Sequence, residues 1–242
     1  MQYQYELNNG EARLPKSASL PKKAAKPDIF ERLRSDIIRC HLRPGSRLPF
    51  KDCCRIYKSG ISQLREAMMR LVADGLIVFE NNKGFTVAPV SREELADIVR
   101  LRSQLETMAI GMAMEKGDLR WEANIMARYH EVSRLPVFDS NGALSEQWDA
   151  ANGAFHQALY AACGSPLLMS FCDFLRERYY RYRRLWAKYG NPPEETEKDH
   201  KNLLTTVLAR DAVALVPLVR SHFERTANSI FEHWSAAEDQ SD

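Results

Sequence analysis

The sequence has no run of about 18 apolar residues, so no segment is long and apolar enough to cross a bilayer as a helix. Its N-terminus lacks the apolar core of a signal peptide. The five cysteines, Cys40, Cys53, Cys54, Cys163 and Cys172, are an odd number and show no CxxC spacing. That argues against a disulfide framework and against a cysteine-based zinc site. Reduced thiols in a cytosolic protein fit better. Beyond residue 91 no stretch alternates convincingly as a strand would, and no internal repeat appears. The expectation is a soluble, cytoplasmic and mainly helical protein without membrane contact.

The net charge is only +2, but it is unevenly divided. Residues 1–90 carry 16 Lys+Arg against 9 Asp+Glu, whereas residues 91–242 carry 18 against 23. A basic first third on an acidic remainder suits a polyanion reader joined to something that is not one. The length allows two modest domains, each with its own core. A hydrophobic share of 45% and a charged share of 27% are ordinary globular values.

Residues 1–26 mix Gln, Asn, Lys, Pro and Ala without apolar periodicity and are expected to be a disordered arm. Its Lys22, Lys23 and Lys26 read as solvated, with phosphate contact as the alternative. Asp28 with Glu31 has the spacing of a capping box, and Ile29, Phe30, Leu33, Ile37 and Ile38 follow at helical spacing. Pro44-Gly45 breaks the chain. A second helix is expected from Pro49 to Tyr57 and a third from Ile61 to Ala73.

Residues 59–88, SGISQLREAMMRLVADGLIVFENNKGFTVA, carry the strongest signal. A small-residue turn feeds a helix that stops at Asp74-Gly75. Two short apolar runs follow, Leu76–Phe79 and Phe85–Val87, joined by Asn81-Asn82-Lys83-Gly84. Helix, turn and two-stranded wing in that order describe a winged helix-turn-helix over residues 27–90. Its recognition helix needs long donors at its N-terminal end, where Ser62, Gln63 and Arg65 stand. Lys51 would face the DNA backbone, and Asn81, Asn82 and Lys83 form the wing tip. Each residue alone reads as a solvated group; the ordered set is far more specific.

From Ser91, itself spaced as a capping box with Glu94, the pattern is helical to the end. Helices are expected at about 91–116, 119–133, 143–162, 165–189, 194–209 and 211–236, with Gly, Pro and Asn breakers between them. The fold class is therefore mainly α: an N-terminal winged helix-turn-helix and, over 91–237, an all-α six-helix bundle. His156, His200 and His222 lie on three different helices. Any lone histidine of this kind is more often structural than a ligand, but imidazoles converging inside a bundle hold Zn, Ni or a similar cation. His41, His130 and His233 read as structural. RERYYRYRRLWAKY, residues 176–189, read alone, has the composition of a base-stacking RNA segment. At helical spacing Tyr179, Tyr182 and Trp186 instead form one core stripe, with the arginines in a cavity or at the surface. Tyr179 and Arg183 are candidates for ligand contact.

PGSRL, LREAMMRLVADGL and NKGFTVAPVS together resemble the N-terminal domain of the GntR superfamily, whose usual form reads R-T-P-V-R-E-A-L-R-R-L-E-A-E-G-L. Arg65, Glu66 and Ala67 match it. Ile61 stands where many members carry a base-contacting arginine, and Lys51 where an arginine is usual, which keeps the charge but loses the fork. The helical half resembles the FCD effector domain of the FadR branch over about residues 91–236. That resemblance implies a divalent metal, Zn first and Ni or another ion as alternatives, held at His156, His200 and His222. Asn152 sits where the family has Asp, and Asp149 is the alternative fourth ligand. It further implies that Arg102 points into the cavity toward an anionic effector, in competition with a helix-surface pair to Glu106. WEANIMARYH, EQWDAANGAFHQALYAACGS and LLTTVLARD are similar to the carbon-starvation regulator CsiR/GlaR group, which answers to glutarate and related metabolites.

The resulting expectation is a homodimeric, metabolite-responsive regulator on double-stranded operator DNA, released by a small carboxylate. It is not expected to be an enzyme. The rival is a metal-dependent hydrolase or lyase fused to a DNA-binding module, for which only Asp149 and Asp199 offer a nearby base. A non-specific RNA binder is the third reading, and the acidic second half argues against it.

Overall fold

The computed structural model describes residues 28–186 and 192–238, without the side chains of 235–238. The expected arm, residues 1–26, lies outside the described residues. So does the expected end of the 165–189 helix beyond Trp186.

Helices α1 (Ile29–Ile38), α2 (Phe50–Tyr57) and α3 (Ile61–Ala73) precede a two-stranded antiparallel sheet, β1 (Ile77–Glu80) and β2 (Gly84–Val87). In α3 the apolar residues Leu64, Ala67, Met68 and Leu71 fall at helical spacing and are buried. They pack on Leu33 and Ile37 of α1, fully buried themselves. The helix stops because Gly75 adopts φ +68°, a left-handed turn that a side chain would strain. The wing pairs Ile77 with Val87 and Glu80 with Gly84; β1 runs one residue later than the expected Leu76–Phe79, and β2 starts one residue before the expected Phe85. Asn82 and Gly84 both take positive φ there, as a tight hairpin requires. Leu48 donates its N–H to the Phe85 carbonyl at 2.9 Å and Gly45 to that of Val87 at 3.0 Å, so the segment before α2 is laced to the wing.

The capping box expected at Asp28 does not form. Asp28 makes no side-chain cap bond, and its carboxylate faces Arg70 of α3 at 3.9 Å instead. At Ser91 half of the expected box is made. Its hydroxyl accepts from the Glu94 N–H at 3.1 Å, while the Ser91 N–H goes to the Tyr182 hydroxyl, itself bonded to Glu94.

The second core belongs to α4 (Arg92–Lys116), α5 (Leu119–Arg134), α6 (Glu146–Tyr160), α7 (Pro166–Leu185), α8 (Pro193–Leu208) and α9 (Ala212–Glu238). These are the six expected helices. α6 starts later than expected because residues 137–145 close on themselves: Asp139 donates to Ala143 at 2.8 Å and Ser145 to Val137 at 2.9 Å. α6 is buried on nearly every side, through Trp148, Ala151, Phe155, Ala158, Leu159 and Tyr160. That places any polar residue on it inside the bundle.

Leu64 is fully buried at the centre of the smaller core. Leu64→Ala should cost about 2–5 kcal/mol through lost burial and the cavity left behind, read as a lower denaturant midpoint at unchanged m-value.

Candidate functional site

The three histidines meet. His156 comes from α6, His200 from α8 and His222 from α9, and one ligand atom from each lies within 4.8 Å of the others. Their ring centroids are 5.1 to 5.5 Å apart, and all three residues are buried. Burial brings them there for a simple reason. Each sits on the inward stripe of its helix, beside Phe155, Leu203 and Phe223.

Burial, then His222, pushes the pKa of both His156 and His200 well below the usual histidine range. For His156 the nearby His200, Arg102 and Arg176 add to this; for His200, Arg183 does. The two rings are therefore neutral, as metal ligation needs. Nε2 of His200 is buried and has no hydrogen-bond partner among the described residues. Asp199 faces Nδ1 of His222 at 3.3 Å and also holds Arg225 at 3.0 Å. A carboxylate on one ring nitrogen is how a ligating imidazole is usually oriented. An orphaned imidazole nitrogen, two neutral rings and a carboxylate-backed third ring are a donor set that fits a divalent cation.

A cavity of about 50 Å³ adjoins the histidines. Asn152, one turn before His156, lines it, together with Trp148, Tyr179, Tyr180 and Phe223. Three arginines line it too: Arg102, Arg176 and Arg183. The competing reading of Arg102 is half right. It does pair with Glu106, at 2.8 Å from Nε and 2.7 Å from Nη2, but both side chains are buried rather than on the helix surface. Its guanidinium also sits 4.1 Å from the Phe223 ring centre and 4.8 Å from that of Tyr179. Burial pushes the Tyr179 hydroxyl up to about 12, so it is a donor rather than a base.

Asp149 is not at the histidines. Its carboxylate is taken by Arg183 and by Arg184, at 3.0 Å from Nε and 2.6 Å from Nη2. It lines a separate cleft against α1 rather than the cavity. This corrects Asp149 as alternative ligand; of the two, Asn152 is the one on the cavity wall. Sequence reading undervalued Arg176 and missed Tyr180. Gly153 marked them: a Cβ there would run into the Tyr180 hydroxyl and Arg176 Nη1, so in this arrangement the wall packs directly on the bare backbone of α6.

The residues expected to read DNA are all exposed on the winged helix. Ser62, Gln63 and Arg65 are exposed on the first turns of α3, and Lys51 is exposed at the start of α2. Ile61, 60% exposed, opens α3 as an apolar group among them. Asn81, Asn82 and Lys83 are exposed at the wing tip, where Lys83 pairs with Glu80 at 2.6 Å. Among the described residues of the Arg/Tyr segment, 176–186, Tyr179, Arg181 and Tyr182 are buried rather than displayed.

The neutral buried rings set a pH dependence. An unfolded imidazole titrates near 6.5. Below that pH the unfolded chain takes up protons that folded His156 and His200 refuse, so their stability contribution is complete above about 6.5 and is lost as pH falls. Chelator-treated protein should be roughly 2–3 kcal/mol less stable at pH 5.5 than at 7.5 from these two groups. Urea unfolding of wild type and of H156Q/H200Q checks this. An equal loss in the double variant would place the effect elsewhere.

Comparison with known proteins agrees with both halves. Residues 26–87 match the family of bacterial regulatory proteins called gntR, and residues 97–225 match the FCD domain. The chain is 34% identical over 199 residues to the HTH-type transcriptional repressor GlaR of Escherichia coli K12, covering 81% of this chain and 90% of that protein. It is 35% identical over 203 residues to the HTH-type transcriptional regulator BphR of Paraburkholderia xenovorans LB400, covering 83% of each. Among solved structures, E. coli McbR/YncC shares the fold with a TM-score of 0.71 at 22% identity, over 85% of this chain and 96% of that one. A GntR regulator from Rhodococcus sp. RHA1 does so at 0.69 and 18% identity, over 84% and 96%. The chain belongs to the GntR family of DNA-binding transcriptional regulators and carries an FCD domain behind its winged helix.

Proposed function

We propose that this regulator is a cytoplasmic repressor, acting as a homodimer on operator DNA and released by a short carboxylate bound beside a divalent metal. Family membership sets aside the hydrolase or lyase reading. The observation that carries the proposal is the meeting of two neutral imidazoles and a carboxylate-backed third in a cavity walled by buried Arg102.

His156, His200 and His222 would hold the ion, Zn by preference and Ni as an alternative, with Asn152 supplying an amide oxygen. Bound there, the ion supplies positive charge and open coordination positions to a carboxylate. Arg102 orients that carboxylate through donors that a lysine could not array. Tyr179 donates from its un-ionised hydroxyl, and Arg183 closes the wall at the Asp149 side. The small cavity favours a short acid, and the resemblance to the CsiR/GlaR group favours a dicarboxylate such as glutarate.

Two winged helices must engage half-sites about one helical turn apart, which a dimer supplies. Lys51, Ser62, Gln63, Arg65, Asn81, Asn82 and Lys83 make the DNA contacts. A ligand that binds one dimer arrangement better than the other shifts the population between DNA-competent and incompetent forms.

Thermal melting tests this, with zinc-loaded and EDTA-treated protein against a panel of three- to six-carbon acids. An effector at a hundredfold its Kd should raise the midpoint of the zinc form by roughly 5–10 °C, and H200Q should abolish the shift. An acid that works equally well after proven metal removal would take the metal out of the reading. No response to any acid would defeat the carboxylate assignment. A reporter behind the operator should rise with the effector, and a fall would defeat repression.

A further inference from the structure

Arg65 is exposed, yet its guanidinium has a seat. Its Cζ lies over the Phe50 ring, 5.0 Å from the centroid. Phe50 is the first residue of α2, and its ring meets that of Phe85 edge-on at 5.5 Å and 82°. Phe85, buried in β2, meets Phe79 of β1 at 4.8 Å. Three rings from α2 and both wing strands thus form a ladder that ends at the arginine of the recognition helix. Neighbouring cations on this half are seated differently. Arg55 pairs with Asp52, Arg70 with Asp28 and Lys83 with Glu80. Among the described residues no carboxylate pairs with Arg65.

We propose that Phe50 is a positioning residue for DNA reading, holding the Arg65 guanidinium by its ring face and tying its aim to the wing. The inference rests on Arg65 being a DNA contact. A carboxylate partner would fix the same side chain but would occupy its donors and cancel its charge. A ring face fixes the guanidinium plane and leaves the N–H edge free. The side chain is then ordered before DNA arrives, so less freedom is lost on binding. Because the same ring packs on Phe85, a displaced wing and a misdirected Arg65 go together.

The test is a double-mutant cycle on the full chain, with a duplex that wild type selects from a random library, at one fixed salt concentration. Arg65→Ala should weaken binding at least tenfold, the scale of a lost bidentate contact. Phe50→Leu should weaken it about two- to fivefold, the scale of an exposed cation–π contact, while Phe50→Trp stays near wild type. In the Arg65→Ala background, Phe50→Leu should change nothing further. Phe50→Met, similar in bulk but without a ring face, replaces Phe50→Leu if melting shows that variant unfolded. Equal losses in both backgrounds, or no loss in either, would make Phe50 a packing residue only and leave the Arg65 contact standing. Unweakened binding by Arg65→Ala would remove that contact and the brace with it.

Discussion

The arginines of α7 are the constraint on which the arrangement turns. Five stand within nine residues, from Arg176 to Arg184, and Arg181 has no exposed surface at all. A guanidinium is tolerated in such places only when acceptors are fixed around it. The acceptors come from both halves of the chain. Arg178 reaches Glu94 and the Asp74 carbonyl at 2.8 Å each, Arg181 bonds to the Ala88 carbonyl, and Arg183 and Arg184 share Asp149. Asp74 is the C-cap of α3 and Ala88 follows directly on β2. The helix that walls the histidine cavity is thus pinned to the two ends of the winged helix.

Asp149 sits at the middle of this arrangement. Arg183, on one side, lines the cavity with the histidines; Arg184, on the other, lines the cleft against α1. In that cleft Arg34 pairs with Glu177 and Arg39 with Glu146 at 2.6 Å. Arg176 and Tyr180 line both spaces. Cavity and winged helix are therefore joined by packed side chains and ion pairs rather than by a flexible linker, which is the kind of contiguous network that coupling between two sites uses.

Much of this was legible from the chain, and the reason is periodicity. Leu64, Ala67, Met68 and Leu71 declare the inward face of α3, which leaves Ser62, Gln63 and Arg65 outward by elimination. Gly75 and Gly84 mark the two turns that need positive φ. The histidines were visible as residues, but only helix packing brings His156, His200 and His222 together, because they are far apart in sequence. What stayed hidden is choice among partners. Asp28 has the spacing of a cap and turns to Arg70; Glu94 has the spacing of a reciprocal cap and turns to Arg178 and Tyr182. Asp149 has the spacing of a ligand and is claimed by two arginines. A short-range motif predicts what a side chain can reach locally, and a stronger charge brought by the tertiary fold outbids it. The aromatic seat of Arg65 was invisible for the same reason, since Phe50, Phe85 and Phe79 come from three elements.

The charge of the donor set bears on what the cavity takes. Two of the three imidazoles are held neutral, and Asn152 brings no charge where a carboxylate would cancel half of a divalent ion. The nearest carboxylates are already engaged: Glu106 with Arg102, and Asp199 with His222 and Arg225. Glu106 lies only 4.0 Å from Nδ1 of His156, yet its bonds go to the guanidinium. An ion held this way would keep most of its charge in the low-dielectric interior. Replacing Asn152 by Asp would neutralise part of that charge from within. On the proposed reading, the amide of Asn152 leaves that charge to a bound anion, and a carboxylate that reaches both the ion and Arg102 would balance it.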